Sequence, residues 1–342
     1  PGGGQDLEWV IQNRSFGPDN QLKYASGGGG GMGGMMTRMT GFLGEQILVN
    51  GRPNATLQVQ RRAYRVRLLN GSNSRIYKLA WRDGTPMTVI GTDGGLLAGP
   101  VTRPYVTLAP AERVELWVDF SAHSAGDELS LHSLAFAAQG GPMRGGMGGM
   151  GRMGGGGGGG LGLGDPFPVL ALRVVQGAAQ ADKLPAQLTR IGPVQPEQAG
   201  NVSSPRTFHV TAGGMTWGLN GRVFEMNRVA DDEVVRLGST EVWQFVNEAS
   251  MGMMGGMPHP LHIHGVQFRI IDRRVQRSGA AAWRGLSEGF VDEGWKDTVL
   301  VMPGERVRLL IRFVAHPGLF LYHCHNLEHE DMGMMRNFSI KT

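Results

Sequence analysis

Apolar residues occupy every second position in many short stretches of this chain. Tyr64, Val66 and Leu68, for example, alternate with Arg65 and Arg67, a period of two that is typical of a half-buried strand. The strands predicted in the first half fall within residues 7–13, 46–51, 56–70, 79–93, 105–108, 113–120 and 128–136. Turn signals such as Asn-Gly and Asp-Gly pairs separate them, and no convincing amphipathic helix pattern is present. The sequence therefore predicts an all-β sandwich architecture.

The strand pattern divides into two domains and a connector. Residues 1–176 form the first domain, which ends with a predicted strand at 168–175. Residues 177–206 are rich in Pro, Ala and Gln, as expected of a connector between domains, and residues 207–342 form the second domain. The strands predicted there are residues 207–211, 241–246, 261–271, 297–302, 306–313 and 319–325. We therefore expect two β-sandwiches in tandem.

Composition and charge argue against several classes of function. The chain has 33 Lys and Arg against 29 Asp and Glu, a formal net charge of +4 without a long basic run, which argues against a nucleic-acid-binding surface. No stretch reaches the roughly 18 apolar residues of a membrane helix, and a single cysteine excludes an internal disulfide. The chain begins with Pro1-Gly2-Gly3-Gly4 and has no signal peptide, so we expect a further segment before it.

Glycine and methionine are unusually frequent, at 56 and 19 residues. Many of them lie in two tracts, residues 27–39 and residues 139–164. The methionines of these tracts are Met32, Met35, Met36, Met39, Met143, Met147, Met150 and Met153. A nearly all-Gly run cannot pack a core, so the second tract is predicted to be a mobile loop. Thioethers suit Cu(I) but also act as sinks for oxidants, and the sequence leaves both roles open.

The only cysteine, Cys324, lies in a stretch rich in potential metal ligands. Along the predicted strand, alternation places His323 and His325 on one face and Cys324 on the other. One strand then serves two metal sites, with sulfur toward the first and two imidazoles toward the second. His329 and Met334 follow on a predicted loop and turn, where both can fold back toward the sulfur, the methionine as a weak axial ligand.

A second histidine stretch lies at residues 257–265. His262 and His264 share one face of a predicted strand, whereas His259 stands between two prolines and can therefore belong to a different metal. Counting imidazoles gives one blue-copper donor set and half of a multinuclear site. The first set is His259, Cys324, His329 and Met334, and the second is His262, His264, His323 and His325.

Other uses of the cysteine fit this pattern less well. A zinc site would need more thiolates or an open catalytic position, and a Cys-His protease would place the cysteine at a helix N-terminus. A buried structural cysteine is the plainest alternative, but His-Cys-His with a spaced His and Met argues against it. Met332 and Met335 compete for the axial position, and the spacing favours Met334.

Both stretches resemble the C-terminal cupredoxin domain of the multicopper oxidases. Residues 259–265 read His-Pro-x-His-x-His-Gly and residues 323–334 read His-Cys-His-x3-His-x4-Met, a combination highly specific to that family. The resemblance implies two tandem cupredoxin-like Greek-key β-sandwiches. It implies a type 1 copper at His259, Cys324, His329 and Met334, a type 2 copper at His262, and a type 3 copper pair at His264, His323 and His325.

The first domain resembles the middle domain of the three-domain oxidases in residues 66–71 and 92–97. In the family that domain binds no copper. Its two histidines, His123 and His132, are accordingly interpreted as structural. His209 and His316 of the second domain lie outside both motifs, and we do not expect them to be ligands.

An axial methionine, with residues 294–299 and 328–331, makes the chain similar to the bacterial cuprous oxidases and spore-coat laccases. In the cuprous-oxidase branch a glutamate directly after the type 1 histidine assists proton delivery to oxygen. The resemblance implies this catalytic role for Glu330, beside that of Cys324 in electron transfer. The alternative for Glu330 is a solvated loop carboxylate.

A methionine cluster precedes the type 1 histidine. Met257, two residues before His259, matches a position that binds substrate copper in cuprous oxidases, and the acidic residue expected two positions earlier is Gly255 here. The resemblance therefore implies a possible Cu(I) substrate site, and a flexible apolar flap is the alternative. The methionines of this site are Met251, Met253, Met254 and Met257.

Half of the trinuclear cluster is missing from this chain. The family uses eight histidines for that cluster, and this chain offers His262, His264, His323 and His325, which are four. In the family the others come from two His-x-His pairs of an N-terminal cupredoxin domain. We therefore expect such a domain as a partner, on a separate chain or in the same precursor.

The function that the resemblance implies is that of a laccase or cuprous oxidase. Phenols or Cu(I) would be oxidised one electron at a time at the type 1 copper, with reduction of O2 to water by four copper ions in the complete enzyme. A mononuclear blue-copper carrier is the rival, and a copper nitrite reductase is disfavoured because it has no histidine after the cysteine. The sequence does not rank the two reductants. The family suggests a periplasmic or extracellular location.

Overall fold

The computed structural model describes residues 4–24, 32–137, 161–180, 182–213, 216–248 and 256–342, without the side chains of residues 32, 33, 35 and 36. Within these residues the strands pair into four sheets, two from each half of the chain. Each half encloses an apolar core of its own. The prediction of an all-β protein with two tandem sandwiches is confirmed.

The first sandwich buries one face of each alternating stretch. Its strands are β1 (Asp6–Phe16), β2 (Leu22–Lys23), β3 (Gln46–Val49), β4 (Arg52–Pro53), β5 (Thr56–Val59), β6 (Ala63–Asn70), β7 (Tyr77–Trp81), β8 (Met87–Thr92), β9 (Gly95–Arg103), β10 (Val106–Leu108), β11 (Arg113–Asp119), β12 (Glu128–Ser133) and β13 (Phe167–Val174). One sheet has the order β4-β3-β1-β6-β11-β8-β9 with β2 beside β1, and the other is β10-β7-β12-β13-β5. Val66 and Leu68 are buried between the sheets, whereas Arg65 lies on the other face of β6 and pairs with Glu115, as the period of two requires.

The second sandwich is built in the same way around aromatic rings. Its strands are β14 (Arg206–Gly213), β15 (Thr216–Leu219), β16 (Val234–Arg236), β17 (Thr240–Asn247), β18 (His259–Ile263), β19 (Phe268–Val275), β20 (Thr298–Val301), β21 (Glu305–Arg312), β22 (Gly318–Cys324) and β23 (Met335–Lys341). The sheets have the orders β15-β14-β17-β21-β19 and β16-β23-β22-β18-β20. Phe208, Trp243 and Tyr322 pack between them in tilted and edge-to-face contacts, with ring centroids 4.8–5.8 Å apart, and Cys324 lies in the same core.

Three short helices were not expected from the sequence. They are α1 (Met32–Thr40), α2 (Ala280–Leu286) and α3 (Leu327–Asp331), and the 3-10 turns are Pro196–Gln198, Asp231–Glu233 and Ser287–Gly289. Each helix has nine residues or fewer, which is shorter than the window of roughly 11–18 residues in which a helical period becomes visible. The absence of a convincing amphipathic helix pattern therefore did not exclude these short helices, and the all-β class stands.

Two stretches predicted as single strands are each divided between two sheets. Residues 56–70 form β5 and β6, which pair with β13 and with β1. Residues 261–271 contain the end of β18 and the start of β19, separated at Gly265, whose φ is +73°. A side chain at Gly265 would meet the Phe320 ring at 2.5 Å, so this reversal requires glycine. In both stretches the apolar positions change from odd to even residue numbers at the break.

The two sandwiches are in direct contact. Ile76 and Ala109 of the first pack against Leu286, Phe290 and Leu300 of the second. Helix α1 of the first half contacts α3 of the second. No helix within the described ranges is long and apolar enough to cross a membrane.

Candidate metal centres

The pairing of β18 with β22 sets the orientation of the candidate ligands. In this antiparallel pair His262 lies opposite His323, and Leu261 lies opposite Cys324. Directly opposed residues share a face of the sheet, and successive residues alternate between faces. Cys324 and Leu261 therefore face the core of the second sandwich, whereas His262 and His323 face away from it, toward the first sandwich.

Three donors converge on the core side, and we call Cys324, His259 and His329 the sulfur cluster. The Cys324 Sγ atom lies 3.6 Å from His259 Nδ1 and 3.8 Å from His329 Nδ1, and the two nitrogens are 3.2 Å apart. All three residues are fully buried. The ring of Trp217 lies 4.7 Å from that of His259 and 4.9 Å from that of His329, which helps to keep the pocket dry.

Hydrogen bonds fix which nitrogen of His329 is available to a metal. Its Nε2 lies 2.9 Å from the carbonyl oxygen of Met39, which only accepts, so Nε2 carries the hydrogen and Nδ1 directs its lone pair at the cluster. This is the arrangement expected when a second partner orients a ligand imidazole. In His259, Nε2 is buried without a partner among the described residues.

Burial makes all three groups neutral without a cation. Burial raises the pKa of the Cys324 thiol, lowers the pKa of His329 to about 4 and lowers the pKa of His259 well below its ordinary value. The Sγ atom and the two imidazole nitrogens converge on one point, within 3.8 Å of one another. Thiolate and imidazole donors suit copper, whose charge favours the thiolate form. The residues present therefore fit a copper ion.

Met334 is tied to the sulfur cluster through its backbone. Its carbonyl accepts a hydrogen bond of 3.0 Å from the Cys324 amide, and its amide donates one of 3.0 Å to the His329 carbonyl. Its side chain is fully buried in the same core, whereas Met332 and Met335 are only partly buried. Met334 follows α3 and the turn at Met332 and Gly333.

His329 does not lie on a loop, as the spacing suggested, but in the short helix α3. Asn326 caps the first turn, where its side chain accepts from the His329 amide. Asn is among the preferred N-cap residues. The sequence Asn326-Leu327-Glu328-His329 thus contained a capping signal, although the five-residue helix gives no periodic pattern.

The four other histidines lie on the opposite side, and we call His262, His264, His323 and His325 the imidazole cluster. The Nε2 atoms of His264 and His323 are 3.0 Å apart, and neighbouring rings in the set have centroids 4.8–6.0 Å apart. This side is less enclosed, because His264 is exposed. The structure brings together all four residues that the sequence assigned to this set.

Two rings of the imidazole cluster are oriented by backbone carbonyls. His262 Nδ1 donates to the Asp297 carbonyl at 2.9 Å and lies 3.0 Å from Thr298 Oγ1, and His323 Nδ1 donates to the Cys324 carbonyl at 3.0 Å. The Nε2 atoms of these two rings therefore carry a lone pair, which can accept a hydrogen bond or bind a metal ion. His325 Nδ1 is buried without a partner among the described residues. Such an orphaned polar atom is costly unless something binds it, and a metal ion fits that need.

Charged residues behind His262 were not found by the sequence reasoning. The Asp297 carboxylate lies 3.5 Å from His262 Nδ1 and accepts two hydrogen bonds, of 2.8 and 2.6 Å, from the Arg113 guanidinium of the first sandwich. Burial by itself would raise the pKa of Asp297, but His262 and Arg113 outweigh it and hold that pKa well below its usual range. Asp93 accepts from the Asp297 and Thr298 amides and pairs with buried Lys296.

Glu330 lies in α3 beside the imidazole cluster and not on a solvated loop. Its carboxylate is 3.5 Å from His323 Nδ1. Burial, followed by the neighbouring Asp331, raises the pKa of Glu330. A carboxyl group of this kind holds its proton more readily than an exposed one, and it is near a candidate ligand.

The methionine site has only one member within the described residues. Met257 is partly buried against the second core, and its carbonyl accepts from Asn247 at 2.7 Å. Met251, Met253 and Met254 lie outside the described residues, as do residues 138–160 of the second Gly/Met tract. The first tract provides Met39, which is buried and packs with the second core.

Four histidines lie apart from both clusters, as expected. His123 pairs with Asp127, and His132, His209 and His316 are partly or fully exposed. Neither group of converging metal donors found in the described ranges includes any of them.

Comparison with known proteins gives a family match, related sequences and similar structures. Residues 199–342 match the family described as multicopper oxidase. The laccase of Bacillus stratosphericus is 34% identical over 310 residues, which cover 87% of this chain and 55% of that protein. Cell division protein FtsP of Photorhabdus laumondii is 34% identical over 306 residues, 86% of this chain and 54% of that protein. A variant of the McoA multicopper oxidase of Aquifex aeolicus has a TM-score of 0.78 and 29% identity, with 99% of this chain and 67% of that chain covered.

Paired cupredoxin-type sandwiches with converging Cys and His donors define a class of copper oxidoreductases. The chain belongs to the multicopper oxidase family, and that membership implies copper as its metal. It spans about half the length of the two curated relatives. One of these relatives is named a laccase and the other a cell-division protein, so their names alone do not assign an activity to this chain.

Proposed function

We propose that this chain supplies the type 1 copper site and half of the trinuclear cluster of a laccase-like multicopper oxidase. The observation that carries the proposal is the placement of two donor sets on opposite faces of the β18–β22 pair. A protein that only carried electrons would need the sulfur cluster alone. The four converging imidazoles on the other face are what favours an oxidase.

We assign the donors as the family resemblance implies. His259, Cys324 and His329 would hold the type 1 copper, together with Met334. His262 binds the type 2 copper, and the type 3 pair takes His264, His323 and His325. The imidazole orientations described above support these roles, because the hydrogen-bonded nitrogens of His262, His323 and His329 leave the other nitrogen of each ring toward its cluster.

Copper bound at these residues supplies one-electron redox chemistry on the sulfur side and reduction of O2 to water on the imidazole side. The chain itself connects the two sides. Cys324 is bonded through the main chain to His323 and His325, and the hydrogen bond from His323 Nδ1 to the Cys324 carbonyl adds a shorter connection. The buried rings around Cys324 exclude water from the sulfur side.

Protons also have to reach the imidazole side. We assign part of that task to Glu330, because its carboxyl group is half-buried and lies 3.5 Å from His323. Burial and Asp331 raise the pKa of Glu330, so it binds a proton more readily than an exposed carboxyl group does, which suits a proton relay.

The complete enzyme needs a partner for the imidazole cluster. The four histidines form one half of the expected eight, and the exposed side of His264 leaves room for the other half. We propose that an N-terminal cupredoxin domain, on a separate chain or in the same precursor, supplies it. The reductants we propose are phenols and Cu(I), with Met251, Met253, Met254 and Met257 as candidates for Cu(I). A periplasmic or extracellular location is part of the same proposal.

Copper content and oxygen uptake test this function directly. The protein is prepared with its N-terminal domain, copper is counted per molecule, and oxygen uptake is followed with a phenol, with and without added copper salt. Four copper ions and uptake of O2 support the oxidase. One copper ion with no uptake would instead support the mononuclear blue-copper carrier. A rate that rises steeply with Cu(I) as donor would favour a cuprous oxidase over a laccase.

A further inference from the structure

Two consecutive residues of α3, Glu328 and His329, form side-chain hydrogen bonds with residues of the first half of the chain. Glu328 is almost completely buried, although it is a carboxylate and no cationic side chain is hydrogen-bonded to it in the described residues. Buried charges without such compensation are costly. Its hydrogen-bond partners therefore need an explanation of their own.

Four donors satisfy the Glu328 carboxylate, and all of them belong to the first half of the chain. Its Oε1 accepts from Tyr24 Oη at 2.7 Å and Asn73 Nδ2 at 2.9 Å. Its Oε2 accepts from Ser74 Oγ at 2.6 Å and the Phe42 amide at 2.9 Å. Hydrogen bonds to an ionised group are among the stronger ones, so Glu328 fixes α3 to the first sandwich at several points.

The next residue, His329, is held by the same segment of the first half. Its Nε2–H donates to the Met39 carbonyl at 2.9 Å, which also accepts from Trp217 Nε1 at 3.2 Å. Met39 lies in the last turn of α1, where carbonyls have no partner within the helix. Residues 39–42 thus contact α3 twice, with a carbonyl that accepts from His329 and an amide that donates to Glu328.

Close packing gives this contact little freedom. Gly41 has φ +90°, and a side chain there would lie 2.3 Å from Ser74 Oγ and 2.6 Å from Asn326 Nδ2. Ser74 Oγ is also 3.1 Å from the side-chain oxygen of Asn326, the residue that caps α3. The segment and the helix cannot shift against each other without losing several of these bonds.

We propose that Glu328 is a positioning residue through which the first sandwich sets the tautomer and orientation of the His329 imidazole. Glu328 places α3 against residues 39–42, and the Met39 carbonyl then holds the hydrogen on Nε2, so that Nδ1 faces Cys324. The role of His329 as a copper ligand rests on the proposed function. The tautomer does not, because it is a property of the metal-free chain.

The first test is nitrogen NMR of imidazole in the metal-free full chain labelled at histidine. Wild type is expected to show the His329 signal, assigned by its loss in His329→Gln, as the Nε2–H tautomer. Glu328→Gln and Ser74→Ala are expected to give a mixture of tautomers, because α3 loses its fixed distance to Met39. Ser72→Ala is the matched control: Ser72 is a buried serine two residues away whose hydroxyl is bonded to Tyr77 within the first sandwich.

The second readout is the rate at which a chelator removes copper from the sulfur cluster, followed by the visible band. The rate is expected to rise about 10-fold in Ser74→Ala and up to about 100-fold in Glu328→Gln, the range seen for partners of ligand residues. Thermal unfolding shows whether Glu328→Gln remains folded, and Ser74→Ala provides the test if it does not. The proposal is overturned if Ser74→Ala matches Ser72→Ala in both readouts. A protein without oxygen uptake but with the expected tautomers would refute the proposed function alone.

Discussion

The sulfur cluster and the imidazole cluster share one strand but differ in how far this chain completes them. The three donors of the sulfur cluster are fully buried, and its His329 ring is oriented by a partner from the first sandwich. The imidazole cluster has an exposed member, His264, and a buried nitrogen of His325 without a partner among the described residues. The first is enclosed within this chain, and the second is open on the side of His264.

This difference has a physical origin in the faces of a single strand. The side of β22 that carries Cys324 faces a core, where residues of this chain, including Met39 of the first half, enclose it. The side that carries His323 faces the region between domains, where further ligands can approach. A site on the core side can be complete in one chain, whereas a site on the outer side depends on what packs against it.

The largest expected effect is loss of the sulfur cluster in Cys324→Ser. The copper-loaded protein should lose its intense visible absorption completely, because the thiolate that gives rise to it is gone, while copper on the imidazole side remains. Absorption spectra and copper counts check both statements. A visible band that survives this substitution would show that the sulfur cluster is not the type 1 site.

The reciprocal substitution, His264→Ala, should leave the visible band intact. We expect oxygen uptake to fall to background and the copper count to decrease, because His264 and His323 face each other across the imidazole cluster. The exposed His316→Ala, which changes the same residue type away from both clusters, is the control. Loss of the visible band in His264→Ala would mean that the two clusters are not separate sites.

A smaller effect is expected from Arg113→Gln, which removes the bidentate partner of Asp297. Affinity for metal at His262 should fall about 10–100-fold, as is common when the partner of a ligand residue is lost, with little change in the visible band. Arg103→Gln is a matched control, since Arg103 also bonds across the domain contact, to Glu293 and the Phe290 carbonyl, but away from the histidines. Equal losses of metal affinity in the two variants would show that Arg113 acts only as a general interface residue.

The smallest effect concerns the metal-free protein in acid. Burial lowers the pKa of His329 to about 4 from an ordinary value of 6.5, so the unfolded chain binds this proton at higher pH than the folded chain does. The contribution of neutral His329 to the free energy of unfolding is therefore fully present above pH 6.5 and is lost as the pH falls from 6.5 to about 4. Urea unfolding of metal-free wild type and His329→Gln measures this, and the variant should show a shallower decline. An identical pH dependence would contradict a buried neutral His329.

Much of the fold could be predicted from the sequence, because strand alternation and ligand spacing depend on residues only a few positions apart. The period of two around Tyr64–Leu68 and around Cys324 correctly predicted strands with one face inward. The spacing of His259, His262 and His264 grouped the histidines as the structure brings them together, although their roles as copper ligands stay a prediction. Helices of fewer than about ten residues, such as α3 with its Asn326 cap, were missed.

The alternation of the strands and the residue types of both donor sets could be read from the chain alone, since each follows from neighbours a few positions apart. How the donors are held became visible only when distant segments were seen in contact. The Asp93 carboxylate meets the Asp297 amide across 204 positions, and the Ser74 hydroxyl meets Glu328 across 254. No periodicity links such residues, because their contact arises only when two folded sandwiches pack together.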